Sequence, residues 1–347
     1  MNDADFLAAL RTVVGERAVL TGDGLERYRR DWANLPGGDP LAVVRPASTE
    51  EVSRVLALAN VEGRTVVPQG GLSGLAGGAN PADGDLVLSL ERMNHIEQID
   101  IASGTVTAQA GVILQTLQEA CAAEGALLGL DLGARGSCQV GGNLATNAGG
   151  NRVIRYGMAR DLVLGVEAVL ADGTVLEMLS RVVKNNTGVD LKQLFIGSEG
   201  TLGVITRVVL KLHPMPQATA TALVALQDYA SAVRFLRHAQ ASLSGQVSAF
   251  EIMWDDYMQI TTAASPKPTP HASRRCWRRP SSKVCCSMAW LRSRWPKPSR
   301  SGTSATASPT CCATSRRRST STCRCRSARS ATAPNASAPT SAPAGPT

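Results

Sequence analysis

Three glycine-rich stretches, at residues 70–78, 133–150 and 197–203, are the parts of this chain whose composition best suits chemistry. Glycine lacks a Cβ and accepts positive φ, so consecutive backbone N–H groups in such a loop can close on a phosphate. A single loop of this kind reads first as a tight turn in an α+β domain. Three of them are interleaved with Asn143, Thr146, Asn147 and Asn151, whose side chains add donors and acceptors. That set suits a large ligand bearing phosphates and a polar heterocycle. The first stretch is not a Walker loop, because no Gly-Lys-Ser/Thr follows, and it is not the Gly-x-Gly-x-x-Gly that opens a dinucleotide-binding helix.

The elements that must position these loops follow from hydrophobic period and punctuation. Residues 1–10 read as a short helix, and residues 28–38 form a polar segment. Arg45-Pro46 ends a short strand, after which Ser48 and Glu51 have the capping-box form, with Glu51 expected to reach back to the Ser48 amide. Val52, Val55, Leu56 and Ala59 follow at helical spacing. Residues 65–67 read as a strand closed by Pro68, giving β-α-β. Residues 85–90 and 105–110 read as strands, and Leu114, Leu117 and Cys121 mark a helix that Gly125 stops. Ala171-Asp172-Gly173 is a hairpin turn between strands at 163–170 and 174–179. Residues 202–212 alternate as a half-buried strand, and Pro214 and Pro216 mark a domain boundary. Residues 218–251 begin a new strand-helix-strand unit.

Three segments carry a resemblance. They are Pro68-Gln69-Gly70-Gly71-Leu72-Ser73-Gly74-Leu75, the run from Leu130 to Asn143 with Gly141-Gly142, and Thr146-Asn147-Ala148-Gly149-Gly150. Together they resemble the FAD-binding domain of the vanillyl-alcohol oxidase and p-cresol methylhydroxylase (PCMH) superfamily. Lys184-Asn185-Asn186-Thr187-Gly188 through Gly197-Ser198-Glu199-Gly200-Thr201-Leu202-Gly203 resembles its D-2-hydroxyglutarate and D-lactate dehydrogenase branch. The resemblance covers about residues 40–260. It implies an α+β fold, with a two-subdomain PCMH-type FAD-binding domain over residues 40–215 after an N-terminal segment at 1–39. An incomplete α+β substrate cap would begin at 216–264, and residues 265–347 would be a disordered tail.

The resemblance also implies roles residue by residue. Gln69, Gly70, Gly71, Leu72, Ser73 and Gly74 would hold the FAD pyrophosphate through backbone N–H groups, and Ala110 and Gly111 would lie near the adenosine. Asp131, Leu132, Gly133, Ala134, Ser137, Gly141, Gly142, Asn143, Thr146, Asn147, Ala148, Gly149 and Gly150 would line the ribityl and isoalloxazine part. Gly200, Val204 and Ile205 would close the adenine side. Leu72 and Ser73 stand where many members carry a tethering His, so the flavin is expected to be non-covalent, with Cys138 unlinked.

For chemistry, the resemblance implies oxidation of a D-2-hydroxy acid by hydride transfer to flavin N5 while a base takes the hydroxyl proton. It also implies a His/His/Glu cluster in the C-terminal half binding a divalent metal such as zinc. The four His here, His95, His213, His238 and His271, form no such pattern. They read as structural or surface residues, and no catalytic residue or metal ligand is assigned. Glu251 and Trp254 match the start of the family's cap, where packing is the expected role.

Charge divides the chain. Residues 1–264 hold all 28 acidic residues and 20 of the 36 basic ones, while residues 265–347 hold 16 Lys and Arg and no Asp or Glu. Seven of the nine Cys lie in that tail, among Ser, Pro, Thr, Ala and Arg. Translation out of frame accounts for this composition, since GC-rich codons for residues 287–322 read in another frame give a balanced, amphipathic sequence. A nucleic-acid-binding arm at Arg316-Arg317-Arg318, a zinc module and a natural disordered extension are the competing readings. Zinc spacing and ordered basic or aromatic readers are absent. The expected chain is therefore an FAD-linked 2-hydroxy-acid dehydrogenase made inactive by loss of its catalytic half. The rival is a non-catalytic FAD-binding subunit of a glycolate-oxidase-like complex.

An intact parent would pass electrons to an electron-transfer flavoprotein, a quinone or a cytochrome, and a homodimer is possible for it. The opening residues mix Asp3 and Asp5 into the first turn and no run of membrane length follows, so no signal peptide and no membrane span are expected. Cys121 and Cys138 read as small buried residues in a cytoplasmic, reducing setting.

Overall fold

The structure, a computed structural model, describes residues 1–257 and the backbone of residues 284–292. The chain begins with α1 (Asp3–Val14), capped by Asn2, whose Oδ1 accepts from the Asp5 amide at 2.9 Å. Phe6, Leu10 and Val14, one helical turn apart, are buried. After β1 (Val19–Leu20) and a 3-10 helix at Gly22–Tyr28 come β2 (Ala42–Val44), α2 (Thr49–Val61), β3 (Val66–Gln69) and β4 (Leu86–Ser89). The strand order is β1-β2-β4-β3, with β2, β4 and β3 parallel and β1 antiparallel at the edge.

Two local expectations need correction. Pro68 does not close β3 but sits inside it, opposite Leu88. Its missing N–H is tolerated because β3 is an edge strand. Ser48 does cap α2, accepting from the Glu51 amide at 3.2 Å, but Glu51 returns to the Ala47 amide at 2.7 Å and not to that of Ser48.

The second sheet is built from β5 (Ile96–Asp100), β6 (Thr105–Gln109), β7 (Ala126–Leu128), β8 (Val163–Val169), β9 (Val175–Met178) and β10 (Val204–Pro214). Its order is β5-β6-β10-β8-β9, all antiparallel, with β7 pairing the far end of β10. Gly173 turns the β8–β9 hairpin at φ +87°. The strand expected to be half-buried, β10, is instead central, flanked by β6 and β8, and is buried on both faces over most of its length. Helix α3 (Leu114–Ala123) buries Leu114, Leu117 and Cys121. The short helices α4 (Val140–Ala145), α5 (Val153–Tyr156), α6 (Ala159–Leu162) and α7 (Lys192–Phe195) link the sheet to the glycine stretches. One apolar core runs from Phe6 and Val44 of the first sheet's layer to Leu117, Val166 and Leu210 of the second.

The third unit begins after Pro216. It contains β11 (Ala218–Leu226), α8 (Tyr229–Ser242) and β12 (Val247–Trp254), with α8 capped by Asp228, which accepts from the Ser231 amide at 2.7 Å. Within the segment read as a tail, the backbone of Val284–Arg292 forms β13, the middle strand of a three-stranded antiparallel sheet ordered β11-β13-β12. The physical reason is local. Val-Cys-Cys-Ser-Met-Ala-Trp-Leu is an uncharged run compatible with a strand, and β11 and β12 would otherwise leave a central edge unpaired. The paired cysteines at 311–312 and 323–325 and the Arg316–Arg318 arm lie outside the described residues.

Candidate functional site

The structure brings the three glycine stretches to one junction. The first leaves the end of β3, and Gln69 pins its two ends. The buried Gln69 amide Nε2 donates to the Tyr28 carbonyl at 2.8 Å and to the Ala79 carbonyl at 2.7 Å. Gly71 lies against Ser137 and Cys138 so closely that a Cβ would collide with the Ser137 carbonyl. Gly70 faces Gln139 and Gly142, each 3.6 Å from where its Cβ would stand. Leu72 holds φ +52°, and its carbonyl accepts from the Trp32 amide at 2.9 Å. A left-handed leucine is strained, and it is held by contacts at both ends of the loop.

The second stretch is anchored on β6 and α3. The Gly141 amide donates to the Ala110 carbonyl at 2.7 Å, that of Gly111 to Met93 at 2.9 Å, and that of Leu114 to Cys138 at 3.0 Å. Side chains cannot be added at Gly111, Gly141 or Gly150 without striking Leu90, Ala110 or Asp131 respectively. Asp131 is held by Arg135 at 2.9 Å and Arg152 at 3.1 Å. Thr146 bonds back to the Gly142 carbonyl at 3.0 Å, closing α4. Asn147 follows at φ +46°, its Oδ1 accepting from the Arg160 amide at 3.0 Å. The Ala148 amide returns to the Asn143 carbonyl at 2.7 Å, and Gly149 packs beside Val153 and Met158. Leu132 and Ala134 pack partly buried against the core, while Gly133 and Gly142 face open space.

The third stretch latches onto the carbonyl end of α4. The Gly197 amide donates to Leu144 at 3.1 Å and that of Glu199 to Ala145 at 2.8 Å. Glu199 takes φ +53°, and its carboxylate lies beside Gly78 of the first loop. Gly200, at φ +81°, packs on Pro68. Val204 and Ile205 are buried at the start of β10. A cavity of about 200 Å³ is lined by Pro68, Gly200, Thr201, Leu202, Gly203 and Val204, facing Leu56, Ala59, Asn60 and Arg64. It contains Gly200 and Val204 of the predicted residues and none from the first two stretches.

The donor set fits a large polar ligand. Gln69 Oε1 and Gln139 Oε1 are buried here with no hydrogen-bond partner among the described residues, in neighbouring segments, and the Asn143 side chain lies within reach of the Cys138 thiol. Buried polar atoms are almost always paired, so two orphaned acceptors side by side mark a place where ligand donors complete the set. Backbone approach, left-handed turns and unsatisfied amides together suit the phosphates and heterocycle of FAD. Cys138 is buried beside these residues, and burial pushes its thiol above the ordinary range, so it stays protonated and a poor nucleophile.

Two contributors were not legible in advance. Asp31, from the N-terminal segment, accepts from the Gly77 amide at 2.8 Å, and its own amide bonds to Asn80 at 2.8 Å, bracing the first loop from outside. Only its isolated acidity in a polar stretch could have flagged it. Arg160 donates to Gln193 Oε1 at 2.6 Å and to the Ile196 carbonyl at 2.5 Å, tying the third stretch to the Asn147 turn. Among the described residues no group of three or more His, Cys, Asp or Glu is placed to hold a metal, and no helix is long and apolar enough to cross a membrane.

Comparison with known proteins agrees with this geometry. Residues 40–179 match the FAD binding domain family. The chain is 43% identical to the mitochondrial D-2-hydroxyglutarate dehydrogenase of Bos taurus over 74% of this chain and 47% of that one. It is 41% identical to the D-2-hydroxyglutarate dehydrogenase of Xanthomonas citri pv. viticola over 76% of this chain and 55% of the relative. In structure it is similar to alkyldihydroxyacetonephosphate synthase, with a TM-score of 0.72 at 23% identity, covering 84% of this chain and 56% of that one. It is also similar to p-cresol methylhydroxylase with substrate bound, with a TM-score of 0.67 at 19% identity, covering 84% and 61%. The fold is thus that of the PCMH-type FAD-binding proteins. The chain carries a member of the FAD binding domain family at residues 40–179 and is a homologue of the D-2-hydroxyglutarate and D-lactate dehydrogenases. It spans about half the length of the relatives it matches.

Proposed function

We infer that this chain binds FAD non-covalently at the junction of the three glycine stretches and derives from a D-2-hydroxy-acid dehydrogenase. The observation that carries the reading is the pair of buried acceptors, Gln69 Oε1 and Gln139 Oε1, left without a partner among the described residues where the loops meet. FAD, when bound, supplies the hydride acceptor that converts a D-2-hydroxy acid of the 2-hydroxyglutarate or lactate type to the 2-keto acid. Amides at residues 70–74 would receive the pyrophosphate, Ala110 and Gly111 the adenosine side, and the 131–150 segment the ribityl and ring portions. Gly200, Val204 and Ile205 would bound the adenine. Leu72 and Ser73 offer no imidazole for a tether.

In this reading the FAD-binding domain spans 40–215 and the cap starts at 216. The chain binds flavin but does not turn over, since its four His form no metal-binding pattern and residues 265–347 carry no acidic residue. Electron transfer to a flavoprotein, quinone or cytochrome would then belong to the intact parent, as would a metal. Two free buried cysteines suit a reducing compartment. The relatives from animals and plants are named mitochondrial, which argues against the cytoplasm as a general address. The pairing of β13 with β11 and β12 favours one alternative, a folded FAD-binding subunit without its own catalysis.

The test is to express the full chain, record its visible spectrum, release the flavin with acid, and assay D-2-hydroxyglutarate and D-lactate oxidation with a dye acceptor. Stoichiometric FAD in the acid supernatant with no dye reduction is the expected result. Absence of flavin after reconstitution with excess FAD overturns the site, and dye reduction overturns the loss of activity.

A further inference from the structure

A second cavity, of about 530 Å³, opens where α1 ends and β2 leaves the first sheet. Arg17, Arg45 and Arg92 line it together with Glu16, beside the buried Val14 and Ala18. Its volume lies within the roughly 300–1,000 Å³ of small-molecule pockets. Three guanidinium groups in one cleft are unexpected in a body whose acidic residues outnumber its basic ones by 28 to 20 over residues 1–264.

The local charges do not balance. Glu16 points to solvent and pairs with Arg11 at 3.1 Å. Arg45 is fixed from behind, with one terminal nitrogen 3.1 Å from Glu91 and the other donating to the Arg17 carbonyl at 2.5 Å. Its Nε is buried and has no partner among the described residues. Arg92 spends one N–H on the Arg45 carbonyl at 2.7 Å. Among the described residues Arg92 makes no ion pair and the Arg17 guanidinium has no partner. Like charges gathered around one cavity repel, and an entering anion reverses the sign of that term.

We propose that the Arg17–Arg45–Arg92 cleft binds a small dianion, a phosphate monoester or a dicarboxylate. Arg45 is the preorganised base of the site, and Arg17 and Arg92 supply planar, forked donors matched to carboxylate or phosphate oxygens. A nucleic-acid backbone is a poorer match, because it requires a basic stripe along a face. None of these residues belongs to the flavin junction, so either site can fail without the other.

The experiment is thermal unfolding of the full chain, titrated with inorganic phosphate and separately with malonate, against sodium chloride at matched ionic strength. The expected result is a saturable rise in midpoint with phosphate, malonate or both, and none with chloride. The anion that gives the rise identifies the source. Arg17→Gln, which breaks no contact of the fold, should weaken the effective anion about tenfold, as expected for loss of one charge-assisted pair. Arg92→Gln should do the same, and if that variant does not fold, Arg17→Gln decides alone. A rise matched by chloride, a rise that never saturates, as excluded kosmotropes give, or an Arg17→Gln variant with undiminished affinity each overturns the proposal.

Discussion

The Thr49 hydroxyl donates to Glu167 Oε1 at 2.6 Å, joining the first residue of α2 to β8 in the second sheet across 118 positions of sequence. The same carboxylate accepts from the Thr206 hydroxyl at 2.8 Å and from Arg207 at 3.2 Å, and Arg207 makes a bidentate pair with Glu97 at 2.7 Å. Glu167 is buried, so the network is a polar rivet between the two layers whose glycine loops meet at the flavin junction. Its members satisfy one another, which is the condition under which buried polar networks stabilise.

Glu167→Ala removes the shared acceptor and strands the buried Thr49 hydroxyl, while the Thr206 hydroxyl falls back on the residue 167 carbonyl, now 3.3 Å away. The expected loss is about 2–4 kcal/mol of unfolding free energy, close to the range for breaking one side of a buried pair and lessened because Arg207 keeps Glu97. Thr49→Val deletes one bond and should lose about 1 kcal/mol. Urea midpoints at constant slope measure both. A loss under 1 kcal/mol for Glu167→Ala would mean that the layers are held by the apolar core alone.

Arg160 offers a sharper test of the loop junction. Its side chain reaches Gln193 and the Ile196 carbonyl while its amide holds the Asn147 turn. Arg160→Ala should raise the FAD dissociation constant at least about tenfold, the effect of releasing three charge-assisted bonds that fix loop geometry. Arg160→Lys, with one point donor in place of a fork, should recover part of it. Flavin fluorescence quenching on binding reports this directly. Equal affinity in all three proteins would show that the third stretch takes no part in holding the cofactor.

Much of this was written in the chain. Capping at Ser48, the Asp172-Gly173 hairpin and the stop at Gly125 rest on local chemistry, and the structure agrees with each. The gathering of three glycine stretches was legible as composition, because few other residues permit such backbone approach. What sequence reasoning missed is non-local. Asp31 reaches Gly77 across 46 positions, and Arg160 reaches Ile196 across 36, and no local pattern encodes either distance. β10 read as half-buried because its alternation was visible while its two flanking strands were not.

Cysteine chemistry follows from burial. Burial lifts the Cys121 thiol to about 11 and raises that of Cys138 as well. Neither should react with iodoacetamide at neutral pH in the native chain, and both should react in denaturant, as read by peptide mass mapping. A native adduct at Cys138 would show that the second glycine stretch opens to solvent, and a flavin mass on Cys138 would end the non-covalent reading.

His213 makes the pH dependence specific. Its ring packs on Tyr156 with centroids 4.7 Å apart, and burial, then Lys211 and Arg155, hold it below the free imidazole value of 6.5. A histidine depressed in the folded state takes up its proton more readily when unfolded, so the unfolded chain gains protons first as pH falls. The stabilising contribution of neutral His213 is therefore complete above 6.5 and is lost as pH drops through the lower folded value. Its Nε2 is buried with no partner among the described residues, so protonation there brings no compensating bond. Unfolding midpoints in urea should fall from about pH 7 to about pH 5, and His213→Gln should flatten that slope. If the variant keeps the full slope, the acid sensitivity belongs to other groups, and the Tyr156–His213 contact is packing alone.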